Sequence, residues 1–464
     1  MSKPTSVDDT WATLAPVIDA YGKQSKAKEQ NANTFDVVRP PPRIGKEAFE
    51  CNNGVTPYPS FITDIVQLAC HNSEASPEAV ALNVVVFFSA LVGREKIIYP
   101  WADTFIDARP SVLIVGKSGS NKGISEHLVK RIFSDFEELM KKRDKDFMPL
   151  DTRSGGLNSG EGLIHSLRDE VEGEGVNDKR ALIIEPEFSK VLAVSGREGT
   201  TLSATLRNFH DGIDQRNETR NAACECTKPH LVMMCHITKE ELLKKIKSDD
   251  IANGLINRFM IFHTSQIKDV ANPTPAPKDQ VQAVVNHLVE IMDFVNEGQT
   301  MIEADDFLAK FDSIYSELRH PKGTLQTQQL LARRCKYVRM LSMIFAVMEK
   351  QTLINEKHLN MALIYVKYWG ESVSYIFDSE VQTVQYEKIK ELSQKVLDAI
   401  IEIHNESGRC TKTDIARYFN SNVPSKEMNA ALSVLLETVP PKIKQEKGVR
   451  TNGGVAPKLY EPVL

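Results

Sequence analysis

A glycine- and serine-rich segment that ends in lysine separates an apolar run from an amphipathic one. The apolar run is Ser111–Val115, and residues 127–133 have helical spacing. A strand, a glycine turn, a lysine and a helix form a site for nucleotide phosphates, because backbone N–H groups and the helix dipole point at the anion. The sequence therefore predicts a phosphate-binding loop, with contacts from Gly116, Ser118, Gly119, Ser120, Asn121, Lys122, Gly123, Ile124 and Ser125.

Two positions depart from the usual pattern of such a P-loop. Asn121 stands where a second glycine is usual, and Gly123 stands where a Ser or Thr hydroxyl usually holds Mg²⁺. Asn adopts unusual backbone conformations more readily than most residues, so the first change is compatible with the loop. On this segment alone, a strand-to-helix turn without a ligand is the alternative.

A second apolar run, residues 181–184, ends in acidic residues. Glu185 follows the run and Glu187 comes two positions later, so both would face the same way on a regular strand. Pro186 between them indicates that the strand has just ended. Acids at the carboxyl end of a parallel strand lie where ligands bind, and in ATPases they serve Mg²⁺ and the attacking water. We predict Glu185 and Glu187 as catalytic residues and Glu185 as the metal residue; solvated acids are the alternative.

A third apolar run, residues 230–235, leads into His236 and Thr238. ATPases with an additional core strand place a polar sensor residue at this point, beside the γ-phosphate or the attacking water. His236 or Thr238 would serve as that sensor, and His236 is the predicted catalytic residue. A histidine that only makes a structural hydrogen bond is the alternative.

Asn257, Arg258 and Phe259 precede another apolar run and resemble the Ser-Arg-Phe stretch of hexameric AAA+ helicases. That resemblance implies that Arg258 neutralises charge on the γ-phosphate of a neighbouring subunit. An arginine paired with a surface acid is the alternative.

Two further segments carry cations suited to DNA phosphates. The polar stretch 207–221 contains Arg207, Arg216 and Arg220, and hexameric helicases have a DNA-contacting hairpin at this place. Near the carboxyl terminus, three helical patterns precede a hairpin signal, as in a winged helix. The predicted DNA contacts are Arg216, Arg220, Lys442, Lys444, Lys447 and Arg450. A solvated loop at 207–221 and a protein-binding winged helix are the alternatives.

Composition and element patterns set the frame for these residues. The 464-residue chain has a formal net charge of −5, so any nucleic-acid contact must be local. Seven scattered cysteines and the lack of a long apolar run favour a cytoplasmic protein without a membrane segment. The predicted fold is an α/β P-loop ATPase core of AAA+ or helicase type. Its parts are an arm with a Pro-rich linker (1–43), a helical segment (44–110), the core (111–270), a helical lid (271–380) and a winged helix (386–464). In the lid, Arg334 or Arg339 would reach the phosphates.

The ordered series of motifs resembles the YfjI-like family. The matching stretches span about residues 57 to 380 and include 115–123, 159–164, 184–188, 206–212, 236–242 and 253–259. Members of this family occur on prophages and other mobile elements, often beside primase-like parts, and are regarded as helicase-type P-loop ATPases. The resemblance implies ATP and Mg²⁺ as cofactors, with DNA, further copies in a ring (a hexamer by expectation) and an element-encoded primase as partners.

Three hypotheses follow. The first is a ring-forming, ATP-dependent DNA motor, either a helicase or a replication initiator of a mobile element. The second is an ATP-gated switch or effector, for instance in anti-phage defence, which the missing hydroxyl at Gly123 favours. The third is a non-enzymatic DNA-binding protein with a degenerate P-loop.

Overall fold

The computed structural model describes residues 42–44, 58–117, 123–218, 223–246, 251, 253–265, 268–378, 380–437, 442–448 and 457–463. The expected arm and linker fall outside these ranges except for residues 42 and 43. Five residues of the predicted phosphate loop, 118–122, also lie outside them, as do Arg220 and Arg450. Within the described ranges, no helix combines the length and hydropathy needed to cross a bilayer.

The described strands are short except in one central sheet. In chain order they are β1 (Ile97–Ile98), β2 (Pro100–Trp101), β3 (Thr104–Phe105), β4 (Ser111–Val115), β5 (Asp151–Ser154), β6 (Arg180–Glu185), β7 (Gln215–Asn217), β8 (Cys224–Cys226), β9 (His230–Ile237), β10 (Phe259–His263), β11 (Gln299–Thr300), β12 (Ile302–Glu303), β13 (Leu353–Ile354), β14 (Ile443–Lys447) and β15 (Lys458–Pro462).

The helices surround this sheet and continue after it. In chain order they are α1 (Ser60–Cys70), α2 (Pro77–Val92), α3 (Ile124–Arg143), α4 (Gly160–Ser166), α5 (Phe188–Ser195), α6 (Leu202–Asp211), α7 (Lys239–Lys245), α8 (Lys278–Asn296), α9 (Asp305–Arg319), α10 (Leu325–Leu330), α11 (Arg334–Met348), α12 (Glu356–Phe377), α13 (Glu380–Ser407), α14 (Lys412–Tyr418) and α15 (Ser425–Glu437).

The central sheet has five strands, all parallel, in the order β10-β4-β9-β6-β5. Strand β9 therefore lies between the strand that leads into the phosphate loop and the strand that ends in Glu185. Every residue of β4, β9 and β10 is buried, which is why these strands read as continuous apolar runs and not as alternating ones. Parallel strands share one carboxyl edge, and that edge collects the segments that follow each strand.

Helix α2 covers part of the sheet. It contacts β4, β6 and β9, and fifteen of its sixteen residues are buried. Its all-round apolar sequence predicts this burial, because a helix with no polar face must be enclosed. Helices α5 and α6 also contact β9. The two-residue strand β1 pairs with β11 and does not join the central sheet.

The region after β10 is mainly helical, as the sequence predicts, with the two-residue strands β11, β12 and β13 between its helices. Helix α12 runs against β10, and the Tyr368 hydroxyl donates to the His263 carbonyl oxygen. Buried apolar side chains from Ile44 to Phe377 form one cluster, so the sheet and these helices share a core. The division between core and lid at residue 271 stays a prediction.

The carboxyl-terminal unit consists of α13, α14 and α15 followed by the antiparallel pair β14 and β15. It has its own apolar cluster, which includes Val396, Ile415 and Tyr460. Thr411 caps α14 in a reciprocal capping box with Asp414. Helix α13 begins at Glu380, before residue 386, where the winged helix is predicted to start.

Candidate functional site at the two edges of the sheet

The carboxyl edge of the sheet brings three predicted site residues onto neighbouring strands. Gly116 follows β4, His236 is the penultimate residue of β9, and Glu185 is the last residue of β6. The strand register aligns Ile114 with His236 and Cys235 with Glu185. The backbone N–H of Gly116 donates to the Ile237 carbonyl oxygen at 3.2 Å, so β9 fixes the start of the loop.

Helix α3 begins directly after the phosphate loop. Gly123 occupies its N-cap position, and the helix then runs for 20 residues from Ile124. Its first N–H groups and its dipole favour an anion at this end. The predicted contacts through Ser118, Gly119, Ser120, Asn121 and Lys122 lie outside the described residues, so these contacts stay a prediction.

The side chain of Ser125 contacts the start of α2. Ser125 is 2% exposed, and its hydroxyl oxygen accepts a hydrogen bond from the Ser76 backbone N–H at 3.1 Å. This contact links the first turn of α3 to the N-cap residue of α2. A hydroxyl that accepts one hydrogen bond still has its proton and a second lone pair, so the nucleotide contact of Ser125 stays a prediction. Gly123 has no side chain to offer a metal.

Glu185 is a buried acid at the carboxyl edge. Its side chain is 6% exposed, and burial raises the pKa of its carboxyl group above the ordinary glutamate range. Its Oε1 accepts the Glu187 backbone N–H at 3.1 Å. Gly155, in the left-handed region at φ 70°, lies beside it, and a Cβ on Gly155 would lie 3.7 Å from Glu185 Oε2.

This carboxylate fits the coordination habits of Mg²⁺. Mg²⁺ usually keeps several waters and takes one or two carboxylates together with substrate phosphates. The described residues include no group of three or more His, Cys, Asp or Glu side chains placed to hold a metal alone. Glu185 can therefore supply one carboxylate to a Mg²⁺ whose other ligands come from a nucleotide and water.

Glu187 does not continue the strand geometry that the sequence predicts for the two acids. Strand β6 ends at Glu185, and Glu187 is the N-cap residue of α5. Its side chain is exposed and pairs with Lys190 at 2.6 Å. Side chains alternate in direction only along a strand, and β6 ends at Glu185, so Glu187 need not face the same way. Glu185 is buried, and Glu187 is exposed. The catalytic role of Glu187 stays a prediction.

The two candidate sensor residues also differ. His236 is buried within β9, next to the strand that leads into the loop. Thr238 is the N-cap residue of α7; its hydroxyl accepts the Glu241 N–H and donates to the Glu241 carboxylate at 3.0 Å. Because the hydroxyl proton of Thr238 is already committed, His236 is the better candidate of the two.

Arg258 lies at the opposite edge of the sheet, where the strands begin. It precedes β10, whose first residue Phe259 is aligned with Ser111, the first residue of β4. The whole length of β4 separates this level from Gly116, a distance of roughly 17 Å in extended chain. The geometry keeps Arg258 away from the loop of its own chain.

The guanidinium group of Arg258 is held by an acid that is not among the predicted site residues. It donates to Asp211 Oδ2, and Arg333 donates to Asp211 Oδ1 at 3.1 Å. Burial raises the pKa of Asp211, but the hydrogen bond from Arg258 and the charge of Arg333 outweigh burial and hold that pKa low. We call Asp211, Arg258 and Arg333 the amino-edge cluster. Asp211 lies inside the stretch 206–212 that carries the family resemblance, and this position is the sequence signal that could have identified Asp211 as a site residue.

Hydrogen bonds link the amino-edge cluster to the strand that leads into the loop. Tyr337 donates to the Arg258 carbonyl oxygen, and its own hydroxyl oxygen lies 3.4 Å from His210 Nε2. His210 Nδ1 lies 3.4 Å from the Ser111 hydroxyl. Burial lowers the pKa of His210 far below its ordinary value, so this ring is neutral and lies as a neutral link between Tyr337 and Ser111.

The structure gives the two lid arginines other partners than phosphate. Arg339 pairs with Glu303, and its guanidinium carbon lies 4.2 Å from the centre of the Phe311 ring. Arg334 donates to the carbonyl oxygens of Glu317 and Leu318 at the end of α9. Both side chains stabilise packing among the helices after β10. The cofactor role of Arg339 stays a prediction.

The predicted DNA segments form two hairpins. Strands β7 and β8 are antiparallel, with Arg216 opposite Glu225 and largely exposed beside Glu218. In the carboxyl-terminal unit, Lys442 and Lys444 are exposed, and Lys444 lies opposite Glu461 on the neighbouring strand. The acids reduce the positive potential of both hairpins. DNA contact therefore stays a prediction for Arg216, Lys442, Lys444 and Lys447.

Comparison with known proteins gives little beyond this description. No family model matches the chain, and no curated protein matches it. Among solved structures, the chain is similar to the crystal structure of a full-length MCM homolog from Methanopyrus kandleri, with 12% identity and a TM-score of 0.35. The similarity covers 67% of this chain and 59% of that one, so the chain spans less than two thirds of the other protein.

Proposed function

We propose that this chain is an ATP-hydrolysing motor that assembles into a ring on DNA. The observation that carries the proposal is the division of polar residues between the two edges of one parallel sheet. Gly116, His236 and Glu185 lie at the carboxyl edge, and Arg258 lies at the amino edge. Neither edge has a full set for phosphate transfer, but the two edges of adjacent copies would form one.

At the carboxyl edge, each residue would have one task. Lys122 and the first N–H groups of α3 would bind the β- and γ-phosphates. Glu185 would hold Mg²⁺ through water and orient the attacking water, and His236 would donate to the γ-phosphate or that water. Mg²⁺, when bound, would neutralise charge on the phosphate oxygens. Arg258 of an adjacent copy would neutralise the remaining charge.

We assign the helices after β10 to a lid and the carboxyl-terminal unit to a winged helix. The β7–β8 hairpin would present Arg216 to DNA in the centre of the ring, and the β14–β15 hairpin would recruit DNA. An element-encoded primase as a further partner rests on the family resemblance alone. The order of the sheet, with β9 and its His236 between the strand that leads into the loop and the strand that ends in Glu185, supports the AAA+ or helicase assignment.

A second function is favoured by one specific observation. Gly123 has no hydroxyl, so the usual Mg²⁺ ligand of a P-loop is missing from the position after Lys122. Slow hydrolysis would suit an ATP-gated switch that controls a partner protein. The substrate would be the same, but DNA would not accelerate turnover.

Steady-state ATP hydrolysis with and without single-stranded DNA separates these functions. The motor predicts turnover that DNA accelerates, that Lys122→Ala abolishes, and that loses much of its DNA response in Arg216→Ala. Turnover unchanged by DNA would favour the switch. No turnover and no nucleotide binding would contradict both and leave a DNA-binding protein with a degenerate loop.

A further inference from the structure

The amino-edge cluster has more positive charge than its one acid can neutralise. Arg258 and Arg333 share Asp211, and Arg207 and Lys336 also act on these groups electrostatically. A second acid that acts on Lys336, Asp107, pairs with Arg109 and Arg94. Among the described residues, this region therefore has four cations around one available carboxylate. Such an excess favours a second anion.

The geometry of the pair matches what arginine offers to phosphate. Each guanidinium group takes a different oxygen of Asp211, as two arginines take different oxygens of a phosphate group. The Arg258 Nε–H is buried and has no hydrogen-bond partner among the described atoms. The carboxylate thus satisfies the two arginines incompletely, which leaves a donor for another acceptor.

The cluster is accessible from outside. The side chains of Arg258, Asp211 and Arg333 are 12%, 22% and 26% exposed. They lie at the edge of the sheet away from the loop of the same chain, so a phosphate that reaches them must come from another molecule. A nucleotide held at the carboxyl edge of an adjacent copy presents such a phosphate.

We propose that, in the unassembled chain, Asp211 occupies the place of a phosphate between Arg258 and Arg333. We also propose that Arg333 is a second arginine supplied to the nucleotide of a neighbouring copy. In an assembled ring, the γ-phosphate of that nucleotide would replace Asp211 as the partner of Arg258 and Arg333. Arg333 would then be a catalytic residue, and Asp211 would be a positioning residue that keeps both arginines extended and paired until a neighbour arrives. This inference rests on the proposed function.

Mixing of inactive variants tests the role of Arg333. A chain with Arg333→Ala has an intact phosphate loop but lacks the second arginine. A chain with Lys122→Ala has the second arginine but lacks the lysine of the loop. We expect each variant alone to lose at least about a hundredfold in turnover. An equal mixture would restore turnover at about a quarter of the interfaces of a ring, where the intact loop meets the intact arginine. Arg333→Lys keeps the charge and would be partly active.

The protein-concentration dependence of turnover tests Asp211. Asp211→Asn removes the competing charge at nearly constant size, so half-maximal turnover should occur at a roughly three- to tenfold lower protein concentration. Arg143 and Asp293 provide the matched control, because Arg143 also makes a two-oxygen pair, at 3.0 and 2.8 Å, far along α3. Arg143→Ala and Asp293→Asn should leave turnover and its concentration dependence unchanged.

The outcomes separate this inference from the proposed function. Absence of turnover in the unmodified chain would overturn the proposed function and the inference together. Turnover that Lys122→Ala abolishes but Arg333→Ala does not would leave the motor and overturn the inference. The inference also fails if Arg333→Ala is folded and inactive but Lys122→Ala does not restore it. It fails for Asp211 if Asp211→Asn lowers only the melting temperature and leaves the concentration dependence unchanged.

Discussion

In the proposed function, the two edges of the central sheet would supply opposite halves of a phosphate-transfer site. At the carboxyl edge, Glu185 is buried and accepts one backbone hydrogen bond, and its pKa is raised because burial disfavours the charged form. At the amino edge, Arg258 and Arg333 are already paired through Asp211, whose pKa is held low. The carboxyl edge thus presents a buried acid, and the amino edge presents two arginines that share one acid.

This difference explains why each edge is stable in a single chain. The amino edge carries its own counter-ion, so its arginines have a partner without a nucleotide. At the carboxyl edge, burial disfavours the charged form of Glu185, and the stability of the rest of the core offsets this cost. A second copy would relieve both conditions at once, because it would bring the cations of one edge to the anions of the other.

The largest expected effect is at the carboxyl edge. Glu185→Gln should lower kcat by about a thousandfold, because it removes the carboxylate that orients the attacking water. Glu187→Gln should change kcat by about threefold or less, because Glu187 is exposed and makes only a surface pair with Lys190. Steady-state hydrolysis, with nucleotide binding measured in parallel, checks both variants. Equal losses in the two would mean that the acids act together and that the burial of Glu185 is not decisive.

The next effect concerns the support of the amino edge. Gly212, at φ 67°, follows Asp211, and a Cβ there would lie 1.8 Å from Arg109 Nη1. Arg109 is buried and donates to Asp107, so it has little room to move. Gly212→Ala should lower the free energy of unfolding by about 3 kcal/mol, as judged by denaturant or thermal midpoints.

Gly199 provides the control for that substitution. Its φ is 77°, but among the described residues no heavy atom other than those of its chain neighbours lies within 4 Å of the position that an alanine Cβ would take. Gly199→Ala should therefore cost only the backbone penalty, about 1 kcal/mol. If the two alanine variants have equal midpoints, the packing of Arg109 against Gly212 contributes nothing to the amino edge.

The smallest effect is a gain in stability. Because the pKa of Glu185 is raised, its carboxylate costs stability near neutral pH, and this cost disappears as the pH falls through that pKa. Glu185→Gln should thus raise the free energy of unfolding at pH 7.5, with a smaller gain at lower pH. Thermal unfolding from pH 5 to 8 gives the comparison. A loss of stability at pH 7.5 would show that Glu185 is not strained.

Local patterns in the sequence were sufficient for much of the fold. The strands at 111–115 and 180–185, the buried α2 and the cap at Thr411 follow from apolar runs, turn residues and capping chemistry. These features depend on neighbours within a few residues. The order of the strands is different, because it depends on pairing between distant segments, and the sequence supported it only through the series of motifs.

Side-chain partners across the chain were not predictable in this way. Asp211 meets Arg333 over a separation of 122 residues, and Ser76 meets Ser125 over 49. The alternative considered for Arg258 was an ion pair with a surface acid. Arg258 does pair with an acid, Asp211, but this acid lies at the amino edge and its side chain is only 22% exposed. Arg339 likewise pairs with an acid, Glu303, that is distant in sequence and that the fold brings close to it.

One mixing experiment tests most directly whether the two edges belong to one shared site. Arg258→Ala and Lys122→Ala are each expected to lose about a thousandfold or more in ATP turnover. If Arg258 acts on the nucleotide of an adjacent copy, an equal mixture recovers turnover at about a quarter of the interfaces. Turnover that stays absent in the mixture, with both variants folded and assembled, would contradict a site shared between copies.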